Sequence, residues 1–277
     1  MVEPQLTVAL TFDHDGISSE VSRGGGPVLI SRGGFGPRVG VPRILRLLDR
    51  HRIPATFFVP AHTAVTFRES VAAIVAAGHE VGCHGWAHED VAQLSEADEQ
   101  DVMERSAAEI ERAAGRRPAG FPAPYWSLSE RTLEIALALG FAYDSSLMAD
   151  DVHLYRVRTG DRHDVQRSAL GTPSRLVEVP ISWSLDDWPH FEPGRLGLGP
   201  MSAPSKVEEI WQAELLYAHE HERSGVLTLT MHPEAIGRGS RIAMLERFIL
   251  AARQLPGVVF DRLDHVVERW AAANPMS

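Results

Sequence analysis

Three short β-type runs in this chain end on side chains that bind metals or move protons. Residues 6–16 read Leu-Thr-Val-Ala-Leu-Thr-Phe-Asp-His-Asp-Gly, an apolar run that delivers Asp13 and Asp15 at its end. Residues 78–89 read Gly-His-Glu-Val-Gly-Cys-His-Gly-Trp-Ala-His-Glu, a short strand ending on His84 with His88 four residues on. Residues 225–233 read Gly-Val-Leu-Thr-Leu-Thr-Met-His-Pro, a strand ending on His232. Apolar runs bounded by turn residues read as buried strands. In parallel α/β folds, sites are built at the carboxyl ends of strands. The recurrence therefore predicts a parallel sheet whose strands converge on one site.

The segments between these runs support that fold. Helices are predicted over Val41–His51, Arg68–Ala77, a stretch starting at Ser95 and ending near Ala114, Ser129–Leu139, Val207–Arg223, Ser240–Arg253 and Leu263–Ala273. Further strands are predicted over residues 54–60, Gly120-Phe121, Phe141–Ser145, Arg175–Ile181 and Val258–Phe260. Strand and helix alternate, which implies right-handed crossovers and seven or eight βα units in a closed or partly closed barrel. An open doubly wound sheet is the alternative, but no Gly-x-Gly-x-x-Gly follows the first strand. The eight glycines of residues 16–40 predict a mobile loop over the site mouth. No Gly-Lys-Ser/Thr follows them, which argues against a phosphate cradle. Residues 148–174 show no clear period and read as an irregular insertion or functional segment.

Composition narrows the classes. The 277 residues are 44% hydrophobic and carry a net charge of −10 with no basic stripe, which disfavours nucleic-acid binding. No apolar stretch reaches membrane-spanning length, and residues 1–5 show no leader pattern, so a cytoplasmic protein with no membrane partner is expected. A single cysteine rules out an internal disulfide or a four-cysteine zinc site. Strand alternation points Cys83 away from His84, making it a packing residue. Residues 1–277 are read as one catalytic domain, expected to assemble as a homo-oligomer.

One carboxylate and two neutral imidazoles form a common facial set for Zn²⁺ and related divalent ions, with a position left open for water. Asp15, His84 and His88 are the predicted ligands; one helical turn would place the two rings on one side. Asp13 is the predicted general base and His232 the general acid for hydrolysis of an amide-type C–N bond. His219 and His221 read as solvated; His153, His163, His190 and His265 read as structural. The aromatics Trp183, Trp188 and Phe191 suit sugar stacking, core or oligomer contacts equally.

Thr11-Phe-Asp-His-Asp-Gly16 followed by His84-Gly-Trp-Ala-His88 resembles the polysaccharide deacetylases, carbohydrate esterase family 4. Pro122-Ala-Pro-Tyr-Trp, Asp186-Asp-Trp188 and Leu229-Thr-Met-His232 look like that family's third, fourth and fifth motifs. The resemblance implies a distorted (β/α) barrel of seven or eight units and a divalent metal held by one Asp and two His. It also implies an Asp base matching Asp13 and a His acid matching His232. The substrate implied is an N-acetylated sugar. The Asp-x-Asp spelling is similar to a subgroup containing cytoplasmic peptidoglycan-deacetylase-like proteins and cofactor-independent allantoinases, which makes a small cyclic imide or ureide the rival substrate. His14 stands between the two aspartates where the family motif has them adjacent. Pro122 stands where the family has an Arg that pairs with the base, leaving Arg38 and Arg238 as cations in loops that could reach the site. That replacement also motivates a third reading, a non-catalytic binding protein on this fold.

Overall fold

The computed structural model describes residues 6–192, 201–222 and 224–276. The strand β1 (Leu6–Asp13) is followed by α1 (Ser18–Ser22), α2 (Pro27–Gly33) and, after a π-helical turn at Gly36–Gly40, α3 (Val41–His51). Next come β2 (Thr56–Val59), α4 (Ala61–Thr66), α5 (Arg68–Ala76), β3 (Glu80–Cys83), α6 (Glu96–Ala114), α7 (Thr132–Ala138) and β4 (Tyr143–Asp144). The strands β5 (Tyr155–Thr159), β6 (Arg162–His163), β7 (Ser168–Ala169) and β8 (Thr172–Glu178) precede α8 (Trp188–Phe191) and α9 (Pro204–His221). The described chain closes with β9 (Gly225–Met231), α10 (Pro233–Ile236), α11 (Gly239–Ala252), β10 (Val258–Phe260) and α12 (Leu263–Ala273). The first strand is predicted over residues 5–12; its Gln5, and Arg223 at the end of the helix predicted over Val207–Arg223, lie outside the described residues.

The wall of the barrel is built around β1. All eight of its residues are buried, as expected for a strand covered on both faces. Its residues Leu6 to Phe12 pair in parallel with β9 along one edge. The other edge is shared: β10 takes Leu6–Val8 and β2 takes Thr11–Asp13, with β3 beside β2. The wall continues from β3 through a bond from the Cys83 N–H to the Gly120 carbonyl (3.0 Å), a bridge from Gly120 to Tyr143, and the parallel pair β4 and β8. A parallel bridge from Asp186 to Thr230 brings the chain back to β9. This is the distorted α/β barrel the sequence implies.

Helix α3 shows how the core is filled. Val41, Ile44, Leu47 and Leu48 share one face and are buried, each contributing about 1.5–3 kcal/mol. Helix α6 starts where Ser95 accepts the Asp98 N–H and ends where Gly115 turns left-handed at φ 75°, the usual polar N-cap and glycine stop. Cys83 is fully buried in the core, and burial pushes its thiol up to about 12, as suits a packing residue.

Two expectations fail. Residues 16–40 are not a loop but two short helices and a π-helical turn. Some of their glycines serve close packing. A Cβ on Gly33 would lie 2.2 Å from the Gly16 carbonyl oxygen, and one on Gly40 would lie 2.2 Å from that of Pro233. Residues 148–174 are not irregular either. Strand β5 runs antiparallel to β8 with a register shift between Arg156 and Arg158, and β6 pairs with β7 in a hairpin. The bulge and exposed alternation explain why no apolar period is visible. Smaller differences lie at element ends: α7 starts at Thr132, with Ser129 capping it through the Thr132 N–H (3.2 Å).

Candidate metal centre and acid–base pair

The carboxyl ends of β1, β3 and β9 meet at a cavity of about 340 Å³. Strand β1 supplies Asp13 as its last residue, and Asp15 follows in the turn. His14 points away. Its Nε2 lies 3.0 Å from the Ser70 hydroxyl, and burial lowers its pKa to about 3, so it is a neutral packing group. The two aspartates share a face because one residue separates them in extended chain.

His84 follows directly on β3. Its Nδ1–H donates to the Pro122 carbonyl at 2.8 Å. That bond fixes the ring and leaves the Nε2 lone pair facing the cavity. His84 Nε2 lies 3.8 Å from Asp15 Oδ1, and His88 Nε2 lies 3.2 Å from Asp15 Oδ2. Ligand atoms of Asp15, His84 and His88 all fall within 4.8 Å of one another. The helical turn predicted to join the two histidines is absent. A tight non-helical turn replaces it, with Gly85 at φ 73° and His88 at φ 61°. The Glu89 carboxylate holds this turn by accepting the N–H groups of Trp86 and Ala87. His88 is a non-glycine residue in the left-handed region, as are Tyr125 (φ 61°) and Trp126 (φ 51°) on the facing segment. The Tyr125 ring packs edge-on against His88 at 4.4 Å. Local backbone strain thus concentrates at the cavity.

These residues fit a divalent cation. Asp15 Oδ1 is buried with no hydrogen-bond partner, a rare condition that a bound ion relieves. Burial pushes the Asp15 carboxyl well above the usual carboxylate range, so its ionised form needs a cation in contact. Burial holds both His84 and His88 below the ordinary imidazole value, in the neutral form a ligand requires.

His232 sits across from this set. Asp187, fully buried, accepts the His232 Nδ1–H at 2.8 Å and also takes the His232 backbone N–H at 3.1 Å with each oxygen. Nε2 is left facing Asp13 Oδ2 at 3.9 Å. Burial alone would favour neutral imidazole, but the bond and charge of Asp187, with Asp186 and Asp13, hold His232 well above its ordinary value. The Trp188 ring packs 4.9 Å from that of His232. The arrangement places a proton-carrying imidazole within reach of a carboxylate that has no arginine partner among the described residues.

The structure thus brings all five predicted site residues, Asp13, Asp15, His84, His88 and His232, to one cavity. Arg38 and Arg238 do not line it; Arg238 stacks on Phe35 at 3.7 Å. The cavity arginines are Arg23 and Arg32, carried in by the helices of residues 16–40. Trp183 and Trp188 line the cavity, whereas Phe191 belongs to the core. His153, His163, His190, His219, His221 and His265 stay outside, and the first four and His265 take local partners such as Asp150, Ser168, the Ser184 carbonyl, the Pro256 carbonyl and Asp261. Sequence reasoning missed the role of Asp187. Its only signal was the Asp-Asp-Trp spelling, which does not say which carboxylate meets which histidine.

Residues 2–143 match the model of the family "Polysaccharide deacetylase". The chain is 33% identical to the peptidoglycan deacetylase of Helicobacter pylori (strain ATCC 700392 / 26695) over 98% of each chain. It is 33% identical to a peptidoglycan deacetylase-like protein of Gibberella zeae, covering 75% of this chain and 68% of that one. A Mycobacterium smegmatis structure assigned to the polysaccharide deacetylases superposes with a TM-score of 0.85 at 34% identity, covering 99% of this chain and 92% of the other. The allantoinase Puue superposes with a TM-score of 0.82 at 23% identity, over 99% and 93%, a likeness of fold alone. The chain belongs to the polysaccharide deacetylase family. Among the described residues no helix is long and apolar enough to cross a membrane.

Proposed function

We propose that this protein is a metal-dependent hydrolase that removes acetyl groups from N-acetylated sugars. The observation that carries the reading is the meeting of Asp15, His84 and His88 at one point, with Asp13 and His232 flanking it. Asp15, His84 and His88 would hold a divalent ion, Zn²⁺ first. When bound, such an ion supplies Lewis acidity to the amide oxygen and acidifies the attacking water. Asp13 takes the proton of that water. His232, charged and oriented by Asp187, gives its Nε2 proton to the departing amine, so the C–N bond breaks without expelling an amide anion. Trp183 and Trp188 at the mouth supply ring faces for a sugar.

A second reading, hydrolysis of a small cyclic imide or ureide, has its own support. Trp126 and Trp183 close on each other at 4.4 Å, and the cavity volume suits one ring better than a long polymer. The single domain over residues 1–277, the cytoplasmic location and a homo-oligomeric state belong to the same proposal; cell fractionation and light scattering check the last two.

The test is elemental analysis of the purified protein followed by zinc loading and a panel of N-acetyl sugars and cyclic imides. The expected outcome is about one equivalent of metal and release of acetate, or ring opening, that a chelator abolishes and zinc restores. Ligand binding with no turnover under any divalent metal would instead identify a binding protein.

A further inference from the structure

The rim of the cavity carries a chain of ion pairs that leaves one cation over. Arg32 donates to Glu20 (2.6 Å) and to Glu192 (2.8 Å), and Glu192 also pairs with Arg241 (3.0 Å). Arg23 is the outer member. Its Nε–H donates to the Ser19 carbonyl at 2.9 Å, but its nearest carboxylate oxygen, Glu20 Oε1, is 3.6 Å away and already held by Arg32. Along this part of the rim three guanidinium groups thus share two carboxylates, and Arg23 is the one left without a close carboxylate. The terminal nitrogens of Arg23 have no hydrogen-bond partner among the described residues, while the side chain is about two-thirds covered and lines the cavity. Its guanidinium lies 5.5 Å from the centre of the Tyr125 ring, and that ring packs on His88. One aromatic ring therefore separates the free fork from the candidate metal ligands.

A planar guanidinium with its terminal N–H groups unspent, inside a partly desolvated cavity, is matched to a carboxylate, which it binds through two parallel bonds. We propose that Arg23 forms a carboxylate-binding subsite, and that the substrate is an amide bearing a carboxylate a few bonds from its scissile C–N bond. This rests on the hydrolase reading for the position of that bond, and on the rim alone for the charge. Two sources share the chemistry: an N-acetyl sugar acid, or a cyclic amide with a ring carboxylate. Nothing in the three-residue spacing of Glu20 and Arg23 marks the site in sequence. It exists because Arg32, from the next helix, takes the carboxylate that would otherwise neutralise Arg23.

Matched pairs differing by one carboxylate test it: N-acetylmuramic acid against N-acetylglucosamine, and dihydroorotate against dihydrouracil. Binding to the zinc-loaded protein is measured by calorimetry, and turnover in parallel, for wild type, Arg23→Ala and Arg23→Lys. In at least one pair the wild type is expected to favour the carboxylated member. Arg23→Ala should weaken binding of that member about 10-fold more than binding of its neutral partner, with the loss in KM rather than kcat. Arg23→Lys, which keeps the charge but not the fork, should recover part of the preference. Preference without turnover supports the subsite and sinks the hydrolase reading. Turnover without charge preference, or equal losses on both members of each pair, overturns the subsite and leaves the hydrolase standing.

Discussion

Glu80, the first residue of β3, and Asp15, just past the end of β1, are both buried carboxyl groups at strand ends of one sheet, yet their surroundings are opposite. At Glu80 every oxygen is satisfied: one accepts the Tyr143 hydroxyl (2.9 Å), the other the Thr56 hydroxyl (2.7 Å) and the Asp264 N–H (3.0 Å). These bonds tie β2, β3, β4 and α12 together across the amino ends of the strands. At Asp15 one oxygen has no partner, the neighbouring Asp13 likewise has an unpartnered oxygen, and the facing residues His88 and Tyr125 stand in strained backbone. One end of the barrel uses its buried polar groups to close the fold; the other leaves two buried carboxylate oxygens without a protein partner.

The strongest way to break this contrast is to remove a ligand at the open end. His84→Ala is expected to abolish metal retention and all measurable turnover, while circular dichroism stays that of the wild type; elemental analysis and an acetate-release assay check both. Asp13→Asn should lower turnover by about 10²–10⁴-fold with metal still bound, because a base is lost but no ligand. Loss of metal in that variant would show that the roles of Asp13 and Asp15 have been divided wrongly.

Asp187→Asn sharpens the contrast through pH. Burial works to keep His232 neutral and Asp187 opposes it, so removing that charge lowers the His232 pKa. The protonated acid is then lost at lower pH. The alkaline limb of the kcat profile should move to lower pH, with kcat falling about 10²-fold at its optimum, as steady-state rates across pH would show.

The smallest effect is expected at the closed end, and on stability rather than turnover. Burial, with Asp264 nearby, raises Glu80 to about 7 from an ordinary value of 4.5. The folded protein therefore binds more protons than the unfolded chain between those values. The stabilisation is complete below about pH 4.5 and is lost as pH rises through 7, by on the order of 3 kcal/mol. Glu80→Gln cannot titrate, so denaturant unfolding from about pH 5 to 8 should show a flatter slope, with kcat unchanged. A slope equal to the wild type's would remove Glu80 as its source.

The same division governs what was legible. The run into Asp13 and Asp15 and the strand ends at His84 and His232 were readable because a buried parallel strand is a continuous apolar run with a sharp end. Residues 16–40 were not readable, because glycine serves loops and close packing alike and only the contacts of Gly33 with Gly16 and of Gly40 with Pro233 decide between them. Strand β5 was hidden by its bulge. Asp187 was visible only as one of two adjacent aspartates.

By itself the sequence determined the fold class, the strand ends that carry chemistry and the residue types delivered there, since these follow from local periodicity and chain direction. Tertiary structure alone decided how those residues face one another: the Pro122 carbonyl that fixes His84, the pairing of Asp187 rather than Asp186 with the His232 ring nitrogen, and the arginine left without a close carboxylate. Each depends on distances between segments far apart in the chain, and such distances are set by how the barrel closes rather than by any local pattern.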